Sequence, residues 1–176
     1  MRGWTASAVA VLLGVLLAVG GAAALATGGP SGPSGPSVPA EGVGSMVVQL
    51  SEYAATHPAA EEVATQLQNH YDAINGRDYE MWRTTVVPAR AEALPEADWR
   101  DAYATTRDGM IRVDRIDPAP DDGLLVRVRF VSTQAVEDAP PDLRAPRICW
   151  RSTLPMRGAP PRIDVTGGGS SARGAC

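Results

Sequence analysis

The hydrophobic pattern of this sequence changes once along the chain, from the spacing of a helix to the alternation of a strand. Between Ala60 and Ile74, apolar residues recur at the i, i+3, i+4 and i+7 positions that form one helical face. Beyond Gly109, apolar and polar residues alternate in four segments separated by turn sequences rich in Pro, Gly and Asp: 110–116, 124–132, 148–156 and 162–165. This order predicts an α+β domain with N-terminal helices packed on a curved antiparallel sheet.

Three helices are expected before the long strands. The first begins at Pro58, where Thr56 or His57 is interpreted as the cap, and ends at Asn75-Gly76. The second follows Asp78, because a carboxylate at this position accepts a hydrogen bond from a free N–H of the first turn. The third opens at Pro95.

The alternation also predicts which strand residues face the helices. Leu124, Val126, Val128 and Phe130 share one face of the second strand, whereas Arg127 and Arg129 lie on the other face with Arg112 of the neighbouring strand. These arginines are interpreted as the solvated face of a half-covered sheet, with an anion-binding stripe as the alternative.

The N-terminal residues have the layout of an export segment. Residues 1–26 combine Arg2, an apolar run and the small-residue site Ala24-Leu25-Ala26, which is typical of a signal peptide. The uncharged stretch 6–26 is also long enough to span a bilayer as a helix, so an N-terminal membrane anchor is the alternative. In both cases the remainder is expected outside the cytoplasm, either secreted or tethered to the cell membrane by residues 6–26.

Composition divides the rest of the chain into three parts. Residues 27–45 contain Gly-Pro-Ser three times and no core-forming segment, which predicts a solvated linker. Residues 46–166 form the expected domain. Residues 167–176 form a Gly-rich tail that ends in Cys176.

The charged residues exclude several function classes. The net charge is −4, and every basic residue other than histidine is Arg, since the sequence contains no Lys. An acidic chain lacks the basic surface that nucleic-acid binding needs, and without Lys there is no Schiff-base or Walker chemistry. With two His and two Cys in the whole chain, we expect neither a metal site nor a cofactor.

The two cysteines, Cys149 and Cys176, lie in a chain that is expected to be exported. An intramolecular disulfide is the leading interpretation, and it would tie the Gly-rich tail to the third long strand. Intermolecular pairing and two free thiols are the alternatives.

The stretch from Tyr71 to Trp82, YDAINGRDYEMW, resembles the helix–turn–helix opening of the nuclear transport factor 2-like superfamily, which includes SnoaL-like and ketosteroid isomerase-like proteins. The order of helices followed by long antiparallel strands is similar as well, and the chain looks most like exported, signal-bearing members from actinobacteria. The resemblance covers about residues 49–165. It implies a cystatin-like cone, in which the sheet curls round the long helix and leaves a pocket.

No catalytic residues can be assigned from the sequence, but a ligand pocket is expected between the long helix and the sheet. Its candidate wall consists of aromatic residues on the buried faces, although use as ordinary core is the alternative. These candidates are Tyr71, Trp82, Trp99, Tyr103, Phe130 and Trp150. His70 lies beside the apolar stripe of the first helix, and we interpret it as a partly exposed hydrogen-bonding residue.

Three functions are consistent with this pattern. The first is a non-catalytic domain that binds a small apolar ligand or a protein partner at the cell envelope. The second is an isomerase- or cyclase-type enzyme that uses the same pocket, and it differs from the first because it needs a buried acid, His or Tyr with a shifted pKa. The third is a structural module that forms a homodimer through the sheet face.

Overall fold

The structure of the chain is a computed structural model that describes residues 41–165 and 171–176. The predicted signal peptide or anchor at residues 1–26, nearly all of the predicted linker and the first part of the tail lie outside the described residues. Within the described part, no helix is long and apolar enough to cross a membrane.

The described residues form helices and strands in the order that the hydrophobic pattern predicts. Two residues of strand precede the helices, and the helices precede the long strands. The elements are β1 (Gln49–Leu50), α1 (Glu52–Ala55), α2 (Ala60–Gly76), α3 (Tyr79–Thr84), α4 (Pro88–Ala93), α5 (Glu96–Ala102), β2 (Arg107–Ala119), β3 (Gly123–Thr133), a 3₁₀ turn (Val136–Asp138), β4 (Arg147–Arg157), β5 (Arg162–Ile163) and β6 (Ser171–Ala175).

One six-stranded sheet contains all of these strands. Its order is β1-β2-β3-β4-β5, with β6 paired to β4 beside β5. The pairs from β2 onward are antiparallel, as predicted, whereas the short β1 pairs with β2 in parallel. The α+β class is therefore confirmed.

The core lies between the helices and one face of the sheet. It contains Val63 and Leu67 of α2 together with Ile111, Val113 and Val126 of the strands, all of which are fully buried. Burial of such side chains contributes about 1.5–3 kcal/mol each, so this layer holds the helices against the sheet. The opposite face carries the arginines, and Arg127 and Arg129 are exposed as expected.

Helix α2 forms where the apolar stripe predicts it, but its end differs in detail from the prediction. The residue in the left-handed conformation is Arg77, with φ of 61°, and the Asp78 N–H closes the end by donating to the Ala73 carbonyl at 2.9 Å. At its start the helix differs from the prediction as well: α2 begins at Ala60 rather than Pro58, its N-cap is Ala59, and no side chain caps it. The His57 Nδ1 instead accepts from the Ala59 N–H at 3.1 Å in the turn that precedes the helix.

The Asp78 N-cap is confirmed. Its Oδ1 accepts from the Met81 N–H at 2.9 Å at the start of α3. Two short helices, α1 and α4, were not predicted, because four to six residues are too few to show a helical period.

The Gly-rich tail contains a strand that the sequence did not predict. Its described part forms β6, in which Cys149 of β4 lies opposite Gly174. Cys149 and Cys176 are bonded, so the predicted intramolecular disulfide is confirmed. The bond fastens β6 to the edge of β4.

Strand β2 contains two irregularities that change which residues face the core. The pairing with β3 shifts between Gly109 and Arg112 and again between Val113 and Arg115. Each shift adds one residue to β2, and an extra residue reverses the alternation of faces beyond it. Gly109 is needed at the first shift, because a Cβ there would lie 2.6 Å from the Val43 carbonyl oxygen.

Candidate functional site

A cavity of about 340 Å³ lies between α2, α5 and the inner face of β3 and β4. Part of its wall is aromatic, and polar side chains from several elements interrupt that wall. The volume falls within the lower range of small-molecule sites. The polar lining includes His70, Arg90, Asp108, Ser132, Gln134 and Ser152.

Four of the six predicted pocket residues line this cavity: Tyr71, Tyr103, Phe130 and Trp150. The Tyr71 and Phe130 rings are 5.2 Å apart, and the Phe130 and Trp150 rings stack at 5.7 Å with only 6° between their planes. These three rings form a continuous wall because Phe130 and Trp150 are cross-strand partners on the inner face. The Trp150 indole N–H donates to the Ser132 hydroxyl at 2.7 Å, which fixes its orientation.

Trp82 and Trp99 do not belong to the cavity, so their assignment to the pocket is corrected. Both are completely buried, and their rings lie 5.7 Å apart with Tyr79 beside them. Trp82 of α3 and Trp99 of α5 pack against each other between these two helices. We call Tyr79, Trp82 and Trp99 the closed aromatic cluster, and Tyr71, Tyr103, Phe130 and Trp150 the open aromatic cluster.

His70 is buried rather than partly exposed, which corrects its interpretation as a boundary residue. Its Nδ1 lies 2.8 Å from the Thr85 hydroxyl oxygen, and that hydroxyl donates to the Trp82 carbonyl. The single Thr85 proton is therefore used, so His70 donates through Nδ1 and keeps Nε2 as an acceptor. Burial, aided by the charge of Arg90, lowers the pKa of His70 to about 3, and the ring is neutral at physiological pH.

Asp108 is a candidate site residue that sequence reasoning missed, as is Arg90, which also lines the cavity. Asp108 is only 3% exposed, lines the cavity from the start of β2, and has a carboxyl Oδ1 with no hydrogen-bond partner. Burial raises the pKa of Asp108 to about 7, although the nearby charge of Arg77 opposes the shift. At neutral pH this carboxyl can therefore either donate or accept a proton.

The side chain of Asn75 holds Asp108 in place. The Asn75 Oδ1 accepts from the Asp108 N–H at 2.7 Å, and its Nδ2 donates to the Asp108 carbonyl at 2.9 Å. We call this pair of bonds the Asn75 clamp. It joins the end of α2 to the start of β2, so the Asn of the turn has a role beyond ending the helix.

The two tyrosine hydroxyls of the open aromatic cluster are free to meet a ligand. Neither Tyr71 nor Tyr103 has a hydrogen-bond partner for its hydroxyl among the described residues. Burial raises the pKa of both, and the charge of Asp108 adds to the shift, so both are protonated at neutral pH. Each can donate one hydrogen bond into the cavity.

The described residues do not suggest a metal centre. Within residues 41–165 and 171–176, no three His, Cys, Asp or Glu side chains are grouped so that they could hold a metal ion. The chemistry that the cavity itself offers is proton transfer at Asp108 and hydrogen bonding from the tyrosine hydroxyls.

Comparisons with known proteins do not extend this description. No protein-family model, curated protein or solved structure matches the chain.

Proposed function

We propose that this chain is an exported or membrane-tethered, non-catalytic domain that binds a small, largely apolar ligand at the cell envelope. The observation that carries the proposal is the cavity of about 340 Å³ with the open aromatic cluster on its wall. A concave site with apolar walls and a few convergent polar groups is typical of a small-molecule site. A protein partner is less well supported, since the aromatic residues lie within a concavity.

The disulfide supports the proposed location. Disulfides persist in oxidising compartments and are rare in the cytosol, and here the bond joins Cys149 to Cys176. The signal-like pattern of residues 1–26 agrees with the same location.

The proposed fold is the nuclear transport factor 2-like cone. Helices that precede four successively paired strands and cover one face of the sheet support this assignment. The turn between α2 and α3, with Asp78 as its cap, supports it as well.

One observation favours the isomerase- or cyclase-type enzyme as a second candidate. Asp108 is a buried carboxyl at the cavity with a pKa of about 7, which is the property that a general acid or base needs at neutral pH. The homodimer has no comparable support, because the face that would join two copies is polar: Arg127, Arg129 and Arg151 are exposed there, and the first two pair with Asp117 and Asp114.

The binding function is tested with the neutral fluorescent probe N-phenyl-naphthylamine and the full-length chain. Ala102 lines the cavity at an exposed position, so Ala102→Trp fills the entrance without disturbing the core. We expect saturable binding of one probe molecule per chain that is lost in Ala102→Trp. The matched control is Ala104→Trp, which places the same ring on an exposed position outside the cavity lining. Equal binding by both variants would contradict the proposal.

The enzyme candidate is separated from the binding function by isotope exchange. Protein purified from its own host is examined by native mass spectrometry for a retained small molecule, which is then incubated with the protein in deuterium oxide. An enzyme that moves a carbon-bound proton through Asp108 should exchange hydrogen in the ligand, and Asp108→Asn should abolish the exchange. A binding domain should leave the ligand unlabelled.

A further inference from the structure

The cavity contains a cation, Arg90, whose charge no described carboxylate neutralises. Arg90 of α4 lines the cavity, and its Nη1 donates to the Asp164 carbonyl at 3.2 Å. Its Nε is buried without a partner. Among the described residues, no carboxylate forms an ion pair with Arg90, whereas the Asp164 carboxylate is paired with Arg157 at 2.7 Å.

The exposed arginines of the described chain provide a contrast. Arg83 and Arg100 each pair with a Glu on their own helix, at 2.8 Å and 2.6 Å. Such surface pairs are worth little, because water already solvates both charges. A guanidinium that is half-buried and lacks a counterion is less well solvated, so an anion at Arg90 would gain more than one at the surface.

The charge of Arg90 acts on three other residues that line the cavity. It opposes the rise in pKa of Tyr71 and Tyr103 and lowers the pKa of His70, so all three lie within its electrostatic reach. The cation that acts on Asp108 is Arg77 instead. Arg90 and Asp108 line the same cavity as the two tyrosines, and the charge of each acts on both tyrosine side chains.

This arrangement defines the ligand more closely than the apolar wall does. We infer that the cavity takes a small organic anion, in which a carboxylate pairs with Arg90 and an apolar or aromatic body lies on the open aromatic cluster. The inference rests on the proposed binding function. A guanidinium donates two parallel hydrogen bonds to a carboxylate, which gives such a ligand both orientation and affinity.

The charge requirement is tested with two probes of the same shape, naphthoate and naphthamide, by isothermal titration of the full-length chain. Both molecules carry the same naphthyl ring, and they differ only because one has a carboxylate where the other has a neutral amide. A difference in affinity therefore reports on the charge and not on the ring contacts. We expect naphthoate to bind at least about tenfold more tightly, as is usual for a hydrogen bond to a charged group.

Two variants of Arg90 assign this preference to its charge. Arg90→Met keeps the apolar stem and should abolish the preference for naphthoate over naphthamide, because the charge that distinguishes the two probes is removed. Arg90→Lys keeps the charge and should retain part of the preference, which maintains the test if the Met variant is unstable. Arg83→Met is the matched control on an exposed helix surface and should behave as wild type.

The outcomes separate this inference from the function on which it rests. Equal affinities of wild type for naphthoate and naphthamide would overturn the anion inference and leave the cavity as a site for neutral ligands. A preference for naphthoate that survives in Arg90→Met would overturn the role of Arg90. If neither naphthoate nor naphthamide binds while N-phenyl-naphthylamine does, the anion inference fails alone. If none of the three probes binds, the proposed function fails with it.

Discussion

The closed and open aromatic clusters have the same kinds of side chain but opposite surroundings. In the closed cluster, Trp82 and Trp99 are 0% exposed and pack between two helices. In the open cluster, Phe130 and Trp150 are only partly buried and border the cavity. The helices α3 and α5 approach each other closely enough to exclude a ligand, whereas the sheet and α2 leave space between them.

The difference shows that an aromatic residue becomes a pocket residue through what lies opposite it. Both clusters leave polar atoms unsatisfied, but in different ways. The indole N–H groups of Trp82 and Trp99 are buried without partners, and an unpaired buried donor costs about 1–3 kcal/mol. The free hydroxyls of the open cluster border a cavity that a ligand or solvent can enter.

The largest expected effect is in the closed cluster. Trp99→Ala removes a fully buried indole and should lower the free energy of unfolding by about 3–5 kcal/mol, because the surrounding helices collapse only in part. Phe130→Ala should cost less, roughly 1–2 kcal/mol, because that ring is only partly buried. Denaturant unfolding of both variants measures the difference, and equal losses would remove the distinction between the clusters.

The disulfide is expected to stabilise the part of the sheet next to the open aromatic cluster. Replacing Cys149 and Cys176 with Ser should lower the free energy of unfolding by about 3–4 kcal/mol, the value of the chain-entropy model for a loop of this length. The melting temperature should fall by several degrees. Titration of the oxidised, denatured protein should detect no free thiol, and two reactive thiols would contradict the assignment.

The pH dependence of stability should distinguish Asp108 from His70. The pKa of Asp108 is raised from 3.8 to about 7, so the folded state binds the proton more tightly and stability rises as the pH falls from about 7 to 4. The pKa of His70 is lowered from 6.5 to about 3, so the unfolded state binds this proton more tightly than the folded state does. The contribution of the neutral ring to stability is therefore present above pH 6.5 and is lost as the pH falls toward 3. The two trends oppose each other between about pH 4 and 6.5.

Asp108→Asn should leave the pH dependence of stability that His70 causes without the opposing contribution of Asp108. At pH 8 the variant should be more stable by about 2 kcal/mol, since roughly 4 kcal/mol of carboxylate destabilisation is removed and an imperfectly bonded amide is introduced. Below pH 6.5 it should lose stability more steeply than wild type. Asp101→Asn changes an exposed carboxyl on α5 and serves as the control. Parallel profiles for wild type and Asp108→Asn would show that Asp108 has an ordinary pKa.

A smaller effect is expected at the cap of α3, which carries Trp82. Asp78→Ala removes the hydrogen bond to the Met81 N–H and should cost about 1 kcal/mol. Naphthoate binding should be unchanged, because the closed cluster does not border the cavity. A loss of affinity in this variant would show that the two clusters are coupled.

The smallest change in stability should come from Tyr71→Phe. The Tyr71 hydroxyl has no partner among the described residues, so its removal should shift the free energy of unfolding by less than about 0.5 kcal/mol. Naphthoate affinity should nevertheless fall roughly two- to tenfold if that hydroxyl bonds the ligand. Tyr79→Phe is the converse control, because its hydroxyl donates to the Leu94 carbonyl at 3.3 Å and does not line the cavity. Unchanged affinity in Tyr71→Phe would remove the hydroxyl from the site.

Local patterns predicted the framework of the fold because they depend on a few neighbouring residues. The apolar stripe of α2, the Asp78 cap and the alternation in β3 and β4 are confirmed. The described tail was harder to predict, since Gly, Ser and Ala have little tendency to form strands and β6 depends on the edge of β4 and the disulfide.

The candidate site was predicted only in part, because its polar residues depend on long-range geometry. By simple alternation Asp108 would share a face with Arg112, which lies on the arginine-bearing face of the sheet. The extra residue between Gly109 and Arg112 turns Asp108 inward instead, so that it pairs with Ser132 at the cavity. At this shift the backbone of Met110 has a positive φ of 50°. In the sequence, the preceding Gly109 was the feature that indicated an irregularity here.

The Asn75 clamp has a consequence for how fast a ligand can enter and leave. Helix α2 is held at its far end by the clamp and near its middle by Gln68, which bonds the Val48 N–H at 2.8 Å and the Met46 carbonyl at 3.1 Å. The 134–146 loop at the cavity has internal bonds from the Arg144 Nη1 to loop carbonyls, and exposed bonds to Thr105 and Arg173 fasten it to the rest of the chain. Because the bonds that fasten the loop are exposed whereas those of the Asn75 clamp are part-buried, we expect a bound molecule to leave by opening of this loop rather than by displacement of the helix.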